Sequence, residues 1–361
     1  MFVVFILACG WSEALETSDS MPISTGTFTP SPSPPYSCAT FTDLPVQNTI
    51  TQTSTFENVQ GDVLQYGSPE ISDTIEYKVQ SVVTLENIGD NPSSLIKLWV
   101  ALIQNLPPYQ SVLSMDIQPV QDEFVRDSYS NLYALFVFED VQPGEMIAIE
   151  ISYSVIVNAL KYTWSDCQGP VPDKFIYPEK FLQSSAPELV DLSDDITANA
   201  TNFCEKAEYI YNYVGDNFNY QGYNPGDLGA LGAYEKSGGD CTEFSDMFIA
   251  LNRSSGVPAR FLEGLIYSSN DVTDPASIKH DWAEVYLPGT GWVPVDPTWG
   301  RFEDKRDSYF AAMTPDHIII TIGRNLSQLN GYHFYYYRYW WENGTTEIVS
   351  DEGWLMERVG E

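Results

Sequence analysis

The chain has 361 residues, 43% hydrophobic and 14% aromatic, with 17 basic against 50 acidic side chains and a formal charge of −33 at pH 7. That length can hold two domains each able to bury a core, and so much apolar material excludes a disordered chain. The charge argues against nucleic acid and anionic membrane surfaces as partners, since both would repel it, and suits basic proteins, cations, polysaccharide or a high-salt setting.

Phe2 to Cys9, FVVFILAC, is apolar but too short to span a bilayer and lacks a basic n-region. Its end, Ile6-Leu7-Ala8-Cys9, looks like a lipobox, so residues 1–10 are expected to direct export. A lipid on Cys9 is then the only membrane attachment expected, and the location is extracellular or at the cell surface. Residues 11–42 are rich in Ser, Thr and Pro and read as a semi-rigid linker.

Period-two patterning dominates residues 43–160. Thr74 to Val82, Ser94 to Ile103, Leu132 to Phe138 and Met146 to Val155 all alternate, with turns at Gly89-Asp90-Asn91-Pro92 and Gln142-Pro143-Gly144-Glu145. The expectation is an antiparallel β-sandwich of six to eight strands. Proline-rich residues 161–190 read as a connection. A second, α+β domain is expected over 191–330. It starts with a helix over Asp195–Gly215, followed by a short helix over Asp227–Lys236 and another over Cys241–Ser254. Strands are expected over Arg260–Tyr267, Asp281–Leu287, Trp292–Val295 and His317–Gly323. Residues 331–361 are expected to form a β-hairpin across Asn343-Gly344, packed on the core.

Five cysteines stand at 9, 38, 167, 204 and 241, with no C-x-x-C pair. With three histidines there is no credible zinc set, so neither metal nor cofactor is expected; calcium is compatible with the acidity, but no EF-hand loop is present. Cys38, Cys167 and Cys204 remain as disulfide candidates. Sequence does not settle the pairing, and Cys167–Cys204 is favoured because both flank the second domain.

The chemistry concentrates at Gly238-Gly239-Asp240-Cys241. Asp240 and Glu243 form a D-x-x-E capping box, which places Cys241 at the first helical position, where free backbone N–H groups and the helix dipole favour a thiolate. Two glycines in front of it would let a substrate carbonyl approach, with the Cys241 N–H as oxyanion donor. His280 begins one strand and Asp296 ends the next, so a hairpin between them would return the carboxylate to the imidazole. That is the layout of a thiol nucleophile, its base and the base's orienter. Tyr220 and Trp282 are candidates for substrate or oxyanion contact, and Arg260 for a buried structural salt bridge. The aromatic run Tyr335 to Trp341 is expected to pack between domains rather than bind sugar.

Three stretches together, GGDCTEFSDMFIALNRSSGVPAR, HDWAEVYLPGTGWVPVDPTWG and, more loosely, Gly323-Arg324-Asn325-Leu326-Ser327, resemble the bacterial and archaeal transglutaminase-like superfamily, whose core is papain-like. The resemblance covers about residues 200 to 330. It implies a papain-like transglutaminase core behind the β-sandwich, with catalytic Cys241, His280 and Asp296. It also implies acyl transfer through a thioester on protein or peptide amides, cell-wall peptide included. Hydrolysis is expected ahead of protein cross-linking because solvent is always present as acceptor; a non-catalytic adhesion or scaffold role is the rival class. Gly323-Arg324-Asn325 departs from the commoner G-R-D form.

Overall fold

Alternating strands account for the first half of the α+β architecture, seen in a computed structural model that describes residues 67–164, 167–224, 226–269, 278–331, 335–342 and 346–360. The export segment with Cys9, the linker with Cys38 and the Asn343-Gly344 turn lie outside the described residues. Strands β1 (Glu70–Asn87), β2 (Ser93–Ala101), β3 (Gln110–Gln118), β4 (Glu123–Arg126), β5 (Leu132–Val141) and β6 (Met146–Lys161) form two antiparallel sheets. On β6, Ile149, Ile151, Tyr153, Val155 and Val157 are buried while their neighbours face outward, the pattern of a half-buried strand. Leu98 and Val100 of β2 and Tyr133 of β5 meet this face in one core.

The sandwich also recruits the C-terminus, which corrects the expected hairpin. Strand β14 (Tyr337–Trp341) pairs with β2, while β15 (Ile348–Arg358) pairs with β1. Each therefore closes a different sheet, satisfying an edge that would otherwise stay open. The rings of Tyr337, Tyr339 and Trp341 stack in a row along β14. Their polar tips donate to Ser350 Oγ, Ile348 O and Thr346 O, so this run bridges the two sheets.

Helices α1 (Pro187–Thr197), α2 (Phe203–Asn217), α3 (Gly229–Lys236) and α4 (Cys241–Ser254) follow, after the short strands β7 (Asn219–Tyr220) and β8 (Gly238–Gly239) are set into the chain between them. The single helix expected over Asp195–Gly215 is two. Asn202 starts the second by accepting the N–H of Glu205, and the Glu205 carboxylate accepts the N–H of Thr201, so side chains compete locally with helix continuation. Cys167 and Cys204 form a disulfide that ties the chain leaving the sandwich to the start of α2.

A third antiparallel sheet, in the order β11-β10-β9-β13, carries the site. Its strands are β9 (Ala259–Ile266), β10 (Lys279–Leu287), β11 (Gly291–Val295) and β13 (His317–Ile322); the two-residue β12 (Ala312–Met313) pairs instead with the end of β6. Phe261, Ala283 and Val285 pack with the helices, whereas Leu265, Ile318 and Ile320 join the sandwich core. The sandwich also takes up the polar edge of β13. The Gln110 amide exchanges two 2.8 Å hydrogen bonds with the backbone of Ile319, and Asn131 does the same with Ile322. Two side chains thus replace the missing neighbour strand.

As expected, Arg260 is a buried structural cation. Its guanidinium reaches Glu284 at 2.6 Å with neither side chain exposed, and it lies 4.1 Å from the centroid of the Trp292 ring. Tyr109 from the sandwich donates to the other Glu284 oxygen at 2.7 Å. Replacing Glu284 with Gln strips this cation of its carboxylate and is expected to cost about 3–5 kcal/mol. Urea unfolding checks this; a change below about 1 kcal/mol would show that the pair is dispensable.

Candidate active site

Helix α4 is capped as its sequence predicts. Asp240 accepts the N–H of Thr242 at 2.9 Å, and Glu243 reaches back to the N–H of Asp240 at 3.0 Å. The same carboxylates hold the preceding loop: Asp240 Oδ2 also accepts from Asn224 N and Glu243 Oε1 from Leu228 N. The paired glycines make room for protein. A Cβ on Gly238 would stand 2.2 Å from Asn219 O, and one on Gly239 would stand 2.3 Å from the Glu243 Cβ. This close approach lets β8 run parallel to β7, which sets Tyr220 opposite Gly239.

Cys241, the free cysteine among the described residues, stands at the start of this helix and is buried. The depressed thiol pKa expected at a helix start is not what its surroundings produce. Burial, with the carboxyls of Asp281 and Asp240, pushes the thiol well above its ordinary value, against an opposing hydrogen bond from the Asp281 backbone. The positive end of α4 is already spent on its own capping carboxylates. Asp281 itself is fully buried and accepts from Thr242 Oγ1 at 2.8 Å; burial raises its carboxyl far above the usual range. Burial and the neighbouring Asp240 likewise raise Glu243 to about 8.

The β10–β11 hairpin forms in the register Ala283↔Val295 to Leu287↔Gly291. It returns the chain to its own start: His280 Nε2 lies 2.7 Å from Asp296 Oδ2, both side chains buried. The other Asp296 oxygen accepts the N–H groups of Thr298 at 2.8 Å and Trp299 at 3.0 Å. Burial alone would raise the Asp296 carboxyl, but the charge and hydrogen bonds of His280 and His317 hold it well below the usual carboxylate range. An ionised carboxylate only accepts, so His280 Nε2 carries a hydrogen and Nδ1 is the nitrogen left to take a proton. Cys241 lies against the backbone of Asp281, the residue next to His280.

His317 is the participant that sequence reading missed. It starts β13, yet its Nε2 sits 3.3 Å from the same Asp296 oxygen and its Nδ1 2.7 Å from Asp316 Oδ1. The only available signal was that a chain with three histidines puts one at the start of a core strand. Trp282 packs against both imidazoles, stacked on His280 at 5.8 Å and edge-on to His317 at 5.1 Å. Its ring is buried behind His280, which suits packing more than substrate contact. Gly264 on β9 makes that possible, since a Cβ there would stand 3.0 Å from Trp282 Cη2 and 1.9 Å from Ile318 O.

His280, Asp296 and His317 offer metal-ligating atoms within 4.8 Å of one another. Zinc bonds of about 2.0–2.1 Å set tetrahedral ligands roughly 3.3 Å apart. The 2.7 Å contact is a charge-assisted hydrogen bond instead, so the present spacing fits a proton relay better than a metal cage.

Tyr220 and Arg301 flank the thiol from another side. Burial, then Cys241 and Asp240, raise the half-exposed Tyr220 phenol to about 12, which keeps it a donor at neutral pH. The Arg301 guanidinium lies 4.6 Å over the Tyr220 ring and 4.1 Å over Phe302, and interacts electrostatically with Cys241 and Asp296. Sequence reading gave Arg301 no role. Arg324 is a structural clamp, joining Asp246 of α4 to Asp227 of the preceding loop at 2.9 Å each.

Residues 190–297 match the family model described as Transglutaminase-like superfamily. Over 162 residues the chain is 30% identical to the uncharacterized protein YebA of Bacillus subtilis, and over 127 residues 30% identical to an uncharacterized protein of Haemophilus influenzae. Those alignments take in 40% and 29% of this chain but only 20% and 34% of the relatives, so the chain spans a fifth to a third of the curated proteins it matches. A solved structure of a candidate cysteine protease from Cytophaga hutchinsonii shares the fold, with a TM-score of 0.58, at 15% identity, over 81% of this chain and 94% of that one. This likeness in fold extends well beyond residues 190–297, into the sandwich.

The His317 environment predicts a pH effect on stability. Burial would lower its pKa, but Asp316 and Asp296 raise it from 6.5 to about 9. A raised histidine pKa contributes stability in full below pH 6.5, and that contribution is lost as pH rises through about 9. Urea midpoints measured across that window should fall more steeply for the wild type than for His317→Gln. Parallel curves would contradict a charged His317.

Proposed function

We propose that this chain is a cysteine acyltransferase that hydrolyses peptide or protein amides, with Cys241 as nucleophile, His280 as proton carrier and Asp296 as its orienter. The observation that supports this most is the buried 2.7 Å contact between His280 and Asp296, made beside the helix start that bears Cys241. As the Cys241 sulfur attacks the amide carbonyl, its proton passes to His280. The tetrahedral intermediate collapses, the C–N bond breaks, and His280 returns the proton to the departing amine or ammonia, leaving a thioester. Water then gives a proton to His280 and attacks the thioester; the C–S bond breaks and the thiol is restored. A lysine amine in place of water would give an isopeptide bond, and these residues serve either acceptor.

The capping hydrogen bonds engage the amides of Thr242 and Glu243, so the Cys241 N–H is the helix amide suited to the oxyanion, with the Tyr220 phenol as a second donor. No metal or cofactor enters these steps. Export is supported by the Cys167–Cys204 disulfide, which belongs to an oxidising compartment. Cell-wall peptide is then an accessible substrate, and a lipid on Cys9 would hold the enzyme at the surface.

Incubation with a glutamine-containing peptide library, with and without a primary amine, separates cleavage, deamidation and amine incorporation by mass spectrometry. Products are expected without added amine, to vanish in Cys241→Ala and His280→Ala, and to fall about 10⁴-fold in Asp296→Asn. Product formation that survives Cys241→Ala would overturn the assignment. Loss of all activity from the wild type across pH and calcium conditions would favour a scaffold.

A further inference from the structure

We propose that His317 is a positioning residue for the reaction proposed above: a buried imidazolium held between Asp316 and Asp296, it shares the Asp296 carboxylate with His280 and so sets how strongly that carboxylate draws a proton onto His280. The inference rests on the Cys241–His280–Asp296 reading and adds a fourth and a fifth group behind it.

The charge on His317 follows from geometry. Its Nδ1 lies 2.7 Å from Asp316 Oδ1 and its Nε2 lies 3.3 Å from Asp296 Oδ2. Asp316 also accepts from Thr314 Oγ1 at 2.5 Å, and Asp296 accepts from two backbone N–H groups besides His280. Two carboxylates so supplied with donors are ionised and only accept, so each nitrogen of His317 carries a hydrogen. The carboxyl pKa values, both depressed chiefly by histidine charge against the effect of burial, agree.

Among the described residues, charged and aromatic groups from several elements face this imidazolium. Asp316 lies in the turn just before β13, Asp296 directly follows β11, and His280 of β10 stands 5.6 Å away between ring centroids. The Tyr309 ring is 6.0 Å away and Trp282 closes the remaining side. Arg301 acts on Asp296 from the short turn that follows β11.

A carboxylate that faced His280 alone would spend its whole charge stabilising an imidazolium there. Sharing that charge with the His317 cation weakens the pull on a proton at His280, the direction that favours a neutral base there. A neutral base is what a protonated thiol needs. On this proposal the resting couple is thiol and imidazole, rather than the thiolate–imidazolium pair that a helix-start cysteine implied.

The test reads Cys241 directly and needs no substrate. The rate of its alkylation by iodoacetamide, followed by mass spectrometry across pH, should show an acid limb that disappears in His280→Ala. In His317→Gln the limb should move to higher pH by about one unit, the direction and order of size for removing one positive charge at this distance. Asp316→Asn, which loosens the imidazolium from outside, should move it the same way by less, and it serves if the first variant fails to fold. The wild type should also lack the ultraviolet absorbance of a thiolate at neutral pH. An acid limb unmoved in both variants, with only a lower melting temperature, reduces His317 to a structural role and overturns the proposal. A profile insensitive to His280 overturns the thiol–imidazole reading itself, and a strong thiolate signal at neutral pH overturns the neutral couple alone.

Discussion

A single ionised carboxylate with no exposed surface organises this site. Taking the Asp296 charge out of water costs several kcal/mol unless donors replace the water, and four do: two imidazoles and two backbone amides. The four donors come from three different constraints. His280 is delivered by the tight β10–β11 hairpin, the amides by the turn that leaves β11, and His317 by the start of β13 on the far side of the sheet. The need to satisfy this one charge therefore ties together elements that the order of the sheet keeps apart.

The β-sandwich matters to the site through β13. An edge strand has unpaired backbone groups, and here Gln110 and Asn131 fill them from the sandwich, while Ile318 and Ile320 enter its core. Tyr336 adds a hydrogen bond to Gly264 O at 2.7 Å, on the strand that must lack a side chain for Trp282 to lie flat. Sandwich, β13 and His317 thus form one support, and C-terminal strands that close both sandwich sheets stiffen it from outside.

Much of this was legible along the chain because its signals are local. The D-x-x-E cap, the period-two strands, the hairpin that joins His280 to Asp296 and the Arg260 ion pair each depend on spacing within one or two elements. What stayed hidden depends on distant contact. His317 gains its role only because three strands and a bare Gly264 bring it to Asp296. Arg301 gains its place by stacking on Tyr220, some eighty positions earlier. The C-terminal run looked like a hairpin because its turn chemistry was right, but two open sheet edges competed for its strands and won. The thiol pKa was misjudged for a related reason: a helix start was weighed, while the buried carboxyl of Asp281, contributed by another element, was not.

The raised thiol also resolves a conflict internal to the chain. Cys167 and Cys204 are joined, whereas Cys241 is free. Conditions that oxidise one pair threaten any thiolate, because the thiolate is the form that attacks disulfides and is oxidised. A thiol kept protonated by burial, and by the carboxyls near it, is a poor partner in both reactions. It becomes nucleophilic only when a base beside it removes the proton as a carbonyl arrives. Reactivity is then confined to the moment of substrate binding, when His280, held by the buried Asp296, is in place to take the proton.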